Sequence, residues 1–272
     1  QRALVGITFI LHAYSPRISF YPEINLRITA LMEETAFERD LLRIHIQILL
    51  SQETEKIDKK MREEIIPEML KSMSPMRNMK FGFEESDEEK DDTNPDWADA
   101  IEKSGLGDKL REMNELQLEG ADVYMSTFSQ LKSYPFFRDI SNWFYPFDKQ
   151  QSDVIKEFRH RGKEGGSLLE IILQSGFFCN SDKYSLFFTM QQLPQSQRDM
   201  MLNQLTDQQI EELADQSKAE TLKKFSERPD TVSNQYLHDL YRFFKLYARR
   251  LEFRDLFKES ICLYNEPDLI DI

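Results

Sequence analysis

Apolar residues recur at three- and four-residue intervals along most of this chain, and no stretch alternates Val, Ile and Thr with polar residues. That period predicts helices and argues against strands. Leu4, Ile7, Ile10 and Leu11 set a first helix that ends near Ser15-Pro16, because proline cannot supply the amide that continues the ladder. A short link through Tyr21 leads to Pro22 and Glu23, which open a second helix carrying Leu26, Ile28 and Leu31. The third has Phe37, Leu41, Ile44 and Ile48 on one face and Leu42, Ile46, Leu49 and Leu50 on the other. A helix apolar nearly all round is expected to lie buried between neighbours. Residues 52–72 continue as an amphipathic helix through Ile57, Met61, Ile65 and Met69, bent or broken at Pro67.

Asn94-Pro95-Asp96 reads as a capped helix start, followed by a short helix around Trp97 to Lys103 that stops at Gly105. The longest helix is predicted from Asp108 to about Lys132, with Met113, Gln117, Ala121, Tyr124 and Phe128 along one stripe. It runs into the densest aromatic stretch of the chain, Tyr134 to Asp148, which holds Phe136, Phe137, Trp143, Phe144 and Tyr145 between Pro135 and Pro146, and Phe147 just after. Each such ring removes roughly 150–250 Å² from water when buried. The stretch is therefore expected to be a hydrophobic corner that wedges the helices on either side of it. Beyond it, Ser167-x-x-Glu170, Thr206-x-x-Gln209 and Ser217-x-x-Glu220 fit the capping box and predict three helix starts. Gly176 closes the first of these, and Pro194 closes a helix through Tyr184, Leu186, Phe187 and Met190. A last strong helix is expected from about Val232 to Arg250, with Tyr236, Leu240, Phe243 and Tyr247 inward.

Charge changes this picture in one place. The formal net charge is −13, and the run Glu84 to Asp96 holds eight carboxylates against Lys90, which is −7 and leaves −6 for everything else. No apolar residue interrupts residues 84–94, so burial cannot offset the entropy of ordering them, and they read as an acidic linker or loop. The order of acids does not fit a calcium loop, which needs Asp-x-Asp-x-Asp-Gly. Such an acidic chain is expected to bind neither nucleic acid nor an anionic membrane. The apolar start, Ala3 to Leu11, is too short for the roughly 20 residues of a membrane span. Cys179 and Cys262 each sit among apolar neighbours, which predicts two buried thiols in a reducing, cytoplasmic setting.

Candidate chemistry is sparse. Arg161 to Ser167 is glycine-rich but lacks the Gly-x-x-x-x-Gly-Lys-Ser/Thr order of a phosphate loop. The four histidines, His12, His45, His160 and His238, are scattered, with no His-Glu-x-x-His and no Cys-x-x-Cys. His45, among Leu and Ile, is expected to be a hydrogen-bonded core imidazole, and His238-Asp239 alone does not make a metal site. No catalytic pair and no cofactor motif emerge. What remains is two basic groups. Arg159, Arg161 and Lys163, with His160, could dock an acidic peptide; Arg249, Arg250 and Arg254, with Lys245 and Lys258, are interleaved with Tyr247, Phe253 and Phe257. Basic residues mixed with rings also suit single-stranded nucleic acid, but the helical spacing of the rings and the overall acidity favour an ordinary amphipathic helix.

Aromatic-proline pairs recur at Tyr21-Pro22, Tyr134-Pro135 and Tyr145-Pro146, without a fixed period. The runs Arg2 to Gly6, Tyr21-Pro22-Glu23, Pro135 to Asp148 and Leu240 to Leu246 resemble uncharacterised bacterial proteins in which helical segments precede tetratricopeptide repeats. That resemblance implies a scaffold, with partner-binding repeats beyond Ile272, and carries no site residues. Together these readings predict an all-α fold of antiparallel helical hairpins packed as a curved, superhelical array. They divide it into an N-terminal lobe (1–83), the acidic segment (84–94) and a C-terminal lobe (95–272). The expected function is a non-enzymatic scaffold for a protein or peptide partner; the alternative is a helical enzyme whose active site uses dispersed polar residues.

Overall fold

A computed structural model describes residues 1–67, 111–112, 115–117, 120–148, 150–151, 154, 176, 178–194 and 226–258. The described residues are all-α, with no strand among them. Seven α-helices are used below: α1 (Arg2–Ile18), α2 (Pro22–Met32), α3 (Thr35–Gln52), α4 (Thr54–Lys60), α5 (Met125–Ser129), α6 (Asn180–Gln192) and α7 (Pro229–Leu246). The capping boxes at Ser167, Thr206 and Ser217, the glycine-rich stretch, the acidic segment and the helix at Trp97 all lie outside the described residues.

The chain forms two compact units, residues 1–52 with 127–272, and residues 53–126. This grouping differs from the lobes expected at 1–83 and 95–272. In the first unit α3 packs along α7 and α1 packs against both. Val5 and Phe9 of α1, Leu41, Ile44 and Ile48 of α3, and Leu237 and Tyr241 of α7 are all buried. Gln47 joins α3 to the start of α7, donating to the Asp230 carbonyl at 2.9 Å and accepting from Ser233 Oγ at 2.7 Å. The N-terminal helices thus belong with the C-terminal ones.

Three expectations shift in detail. Helix α1 runs past Ser15-Pro16 to Ile18. A proline in the last turn forfeits a single backbone bond, so it can be carried there. Helix α3 is buried on one side only, since Ile46 and Leu49 remain 48 % and 47 % exposed. The long helix predicted over 108–132 is interrupted at Gly120, which has φ +99°. There Ala121 N–H donates to the Leu116 carbonyl at 2.9 Å and Gly120 N–H to the Gln117 carbonyl at 3.0 Å. That pair of bonds is the glycine-terminated C-cap in which a left-handed residue satisfies orphan carbonyls. Helix resumes only at Met125 and tightens into a 3-10 turn over Gln130–Ser133.

The second unit keeps a small core of Ile57, Ile65, Ala121 and Val123, flanked by Met61, Leu116 and Tyr124. The described residues remain helical up to Pro67, and the expected bend or break beyond it lies outside them. The helical ladder widens just before Pro67, into a π turn over Met61–Ile65, and Ile66 N–H reaches back to the Met61 carbonyl. Without an amide at Pro67 the usual bond to the residue four back cannot form.

The aromatic corner is folded as two 3-10 turns, Pro135–Arg138 and Ile140–Trp143. Asp139 caps the second, accepting from Ser141 N–H at 2.9 Å and Ser141 Oγ at 2.8 Å. Those two bonds favour the carboxylate and hold its pKa below the usual value. Phe136, Phe137 and Trp143 are buried as expected, whereas Tyr145 is 53 % exposed. Among the described residues, the rings clamp α6 and α7. Phe136 meets Tyr184 at 4.7 Å and Phe188 at 5.1 Å on the α6 side. Trp143 meets Phe243 and Tyr247 at 5.9 and 6.0 Å on the α7 side.

Candidate functional site

The polar heart of the first unit lies where α6 and α7 cross beneath that corner. Helix α6 begins with a polar run, Asn180-Ser181-Asp182-Lys183, and every one of these side chains is buried. Asp239 of α7 caps it from outside. Its carboxylate accepts from Ser181 N–H at 2.8 Å and from Asn180 N–H and Nδ2 at 3.2 Å each. Negative charge there meets the positive end of the α6 dipole. The Asn180 side-chain oxygen in turn accepts from Phe147 N–H at 2.9 Å, and the Tyr184 hydroxyl donates to the Pro146 carbonyl at 2.9 Å. Both bonds tie the aromatic corner to α6. Burial pushes the Tyr184 phenol up to about 12, so it acts as a neutral donor.

One turn in, Asp182 sits between two cations. Lys132 Nζ and Arg242 Nε share one carboxylate oxygen, Oδ1, at 2.7 and 2.8 Å, and Arg242 Nη2 lies 2.6 Å from the other, Oδ2. All three side chains are at most 2 % exposed. Lys132 also donates to Ser181 Oγ at 3.0 Å and Ser185 Oγ at 3.1 Å, and its ammonium stands 4.8 Å from the Phe137 ring centre. The lysine is thus surrounded by acceptors and a ring face, and the guanidinium makes a fork on the carboxylate. Each charge in the cluster has an opposite charge within 2.7 Å, which suits a structural brace.

Two neighbours differ. Cys179 is buried, and desolvation raises its thiol pKa well above the ordinary value, so it is an unreactive thiol. Lys183 is 5 % exposed; its backbone N–H donates to the Cys179 carbonyl at 3.1 Å, while its ammonium makes no hydrogen bond or ion pair among the described residues. Burial lowers its ammonium pKa to about 8, with Asp239 acting in the opposite direction. His45 is hydrogen-bonded as expected but half-buried rather than in the core: Nδ1 lies 2.9 Å from the Leu41 carbonyl, and burial lowers its pKa. No group of three or more metal-binding side chains occurs among the described residues.

The two basic groups fare differently. Arg159, Arg161 and Lys163 lie outside the described residues. Arg249, Arg250 and Arg254 are exposed on the segment that follows α7. This helix ends at Leu246, four residues before the Arg250 expected, and a 3-10 turn follows over Arg250–Glu252. Phe253 pins the turn by packing on Phe243 at 5.3 Å and Tyr247 at 6.1 Å. Arg249 donates to the Tyr247 hydroxyl at 3.2 Å and Arg250 to the Tyr247 carbonyl at 3.4 Å. Leu251, between them, is 91 % exposed. Lys245, grouped with them in the sequence, is occupied by Asp255 at 3.4 Å.

The sequence reading passed over Lys132, Asp182 and Arg242, and weighed Asp239 only beside His238 as a metal ligand. Asp239 and Arg242 are three apart on a helix and share the phase of buried positions, between Leu237 and Tyr241 and between Tyr241 and Phe243. Charge at a core phase was the available signal. Helix α7 presents Leu237, Tyr241 and Phe243 to the core, while Tyr236 and Leu240 are only partly buried. No helix among the described residues is long and apolar enough to cross a membrane. Comparison of the chain with protein-family models, with characterised proteins and with solved structures finds no match.

Proposed function

We propose that this chain is a non-enzymatic helical scaffold that binds a protein or peptide partner, and that the Arg249–Arg254 turn belongs to its partner-facing surface. The observation that carries this reading is the exposed Leu251 flanked by Arg249 and Arg250 on a turn already anchored by Phe253. A pre-ordered turn costs little further entropy on binding. An apolar knob beside guanidinium groups suits a peptide with carboxylates next to an aliphatic or aromatic residue. The short joins between α1, α2 and α3 favour antiparallel neighbours, and extension of such pairs into a curved array is part of the proposal, as is a cytoplasmic setting. No nucleic-acid or membrane partner is proposed.

A peptide array carrying acidic-aliphatic sequences, probed with the whole chain, tests the reading. Spots bound by the wild type should weaken at least tenfold with the triple variant Arg249→Glu, Arg250→Glu, Arg254→Glu, and should fade as salt rises. Spots that ignore the triple variant would remove this turn from the interface.

A second reading is supported by Lys183 alone. A lysine 5 % exposed whose pKa is lowered to about 8 is partly the neutral amine near that pH, as amine nucleophiles require. If α6 carries such chemistry, treatment with pyridoxal phosphate and borohydride at pH 8 will mark Lys183 faster than exposed Lys56 and Lys59. Slower labelling of Lys183 than of those surface lysines would leave it a buried structural side chain.

A further inference from the structure

Taking an ion out of water is costly unless an opposite charge compensates, so buried charges in folded proteins are paired. The first unit departs from that balance by one charge. Its buried lysine, arginine and acidic side chains, among the described residues, are Lys132, Lys183 and Arg242 against Asp182 and Asp239. Lys132 and Arg242 share Asp182. Asp239 is taken up by the neutral donors of Asn180 and Ser181 that it caps. That leaves the Lys183 ammonium, without a hydrogen bond or ion pair among the described residues. A second cation stands near it. Arg2 of α1 donates from Nη1 to the Phe144 carbonyl at 2.8 Å, lies 5.2 Å from the Tyr236 ring centre, and makes no ion pair among the described residues. Tyr236 is one turn of α7 before Asp239, and Asn180, held by Asp239, is one turn of α6 before Lys183. Both cations thus belong to the α6–α7 crossing, and Arg2 is close enough to act electrostatically on Lys183. We propose that Lys183 and Arg2 bind a small carboxylate anion at this crossing.

Charge, size and shape select the ligand. One negative charge offsets the excess positive one, whereas a phosphate dianion overshoots it. Arg2, Phe144 and Tyr236 are half-buried, so a small ion can enter from their side, while the burial of Lys183 keeps a large one from its ammonium. A planar guanidinium presents N–H groups at the spacing of two carboxylate oxygens, and an ammonium adds a point charge. The other titratable groups around the site are Asp239, the Cys179 thiol and the Tyr236 phenol, the last two kept protonated by burial. Burial favours the neutral amine of Lys183 and lowers its pKa to about 8. A bound anion favours the ammonium instead. Binding is therefore linked to a proton, and above about pH 8 each further pH unit should weaken it about tenfold.

Thermal unfolding of the whole chain with acetate as the probe, against chloride at equal ionic strength, is the test. An ion of this size binds no tighter than about tens of micromolar, so acetate is titrated to about 50 mM. At pH 7 it should raise the melting temperature by about 2–4 °C more than chloride once it exceeds its dissociation constant about tenfold. At about pH 9.5 the difference should nearly vanish, because affinity is then about thirtyfold lower. Lys183→Met removes the cation, keeps most of the volume, and should abolish the difference at pH 7. Arg2→Gln, on the half-buried rim, should weaken acetate at least tenfold and provides the reading should Lys183→Met fail to fold. The general effect of acetate on hydration acts on the wild type and the variants alike. Equal melting in acetate and chloride at pH 7, an acetate shift that persists at the higher pH, or one retained by either variant overturns the proposal.

Discussion

Asp182→Ala is expected to cost about 3–5 kcal/mol, the range for breaking a buried ion pair by removing one partner. The loss arises because Lys132 and Arg242, each at most 2 % exposed, would then face each other with no counter-charge. The serine hydroxyls on Lys132 can solvate an ammonium but cannot neutralise it. Urea unfolding followed by circular dichroism measures the effect as a lower midpoint. A change under about 1 kcal/mol would mean that the cations relax into water and that the cluster is not a brace. The combined variant Lys132→Met, Asp182→Leu, Arg242→Met should recover most of the loss, since apolar groups of similar volume often replace a buried ion cluster at little cost. Recovery would show that the charges specify how α6 meets α7 more than they stabilise it. No recovery would make the ions themselves the source of stability.

Trp143→Ala should be comparably severe, at about 3–5 kcal/mol for loss of a buried tryptophan. Trp143 is 1 % exposed, touches Phe137, Phe243 and Tyr247, and donates its indole N–H to the Phe137 carbonyl at 2.8 Å. Its removal opens a cavity between the corner and α7 and orphans a buried acceptor. Trp143→Phe keeps part of the ring and should lose roughly half as much, part of that being the hydrogen bond, worth about 1 kcal/mol. Thermal unfolding checks both. A melting temperature for Trp143→Ala within a few degrees of the parent would mean that the corner collapses around the hole, and Trp143 would not be the wedge described above.

How much of this was legible beforehand depended on the range of the signal. Period and prolines located α1, α2, α3, α6 and α7, because apolar spacing and the missing amide act within a few residues. The aromatic stretch announced its own burial in the same way. Gly120 was readable in principle, since a glycine inside a helical stripe marks a possible end, yet the stripe from Gln117 through Phe128 overrode it. What spacing could not supply was partnership. Nothing local says that Asp239 caps a helix beginning 59 residues earlier, or that Lys132 and Arg242 converge on one carboxylate. Net charge hid them too: −13 describes the surface, while the informative charges are the few inside. The basic turn at Arg249–Arg254 was legible as chemistry, but its exposure depends on where α7 stops, which rests on the tertiary contacts of Tyr247 and Phe253.

The cap on α6 comes from α7, and α3 packs on α7 across some 180 positions of chain. During synthesis, then, the ribosome delivers α1 to α3 and later α6 well before the helix that completes them. Closure of so long a loop carries an entropic cost before any contact rewards it. Folding of this unit should consequently wait until residue 246 has cleared the exit tunnel, and nascent chains halted earlier should be open to proteases and chaperones.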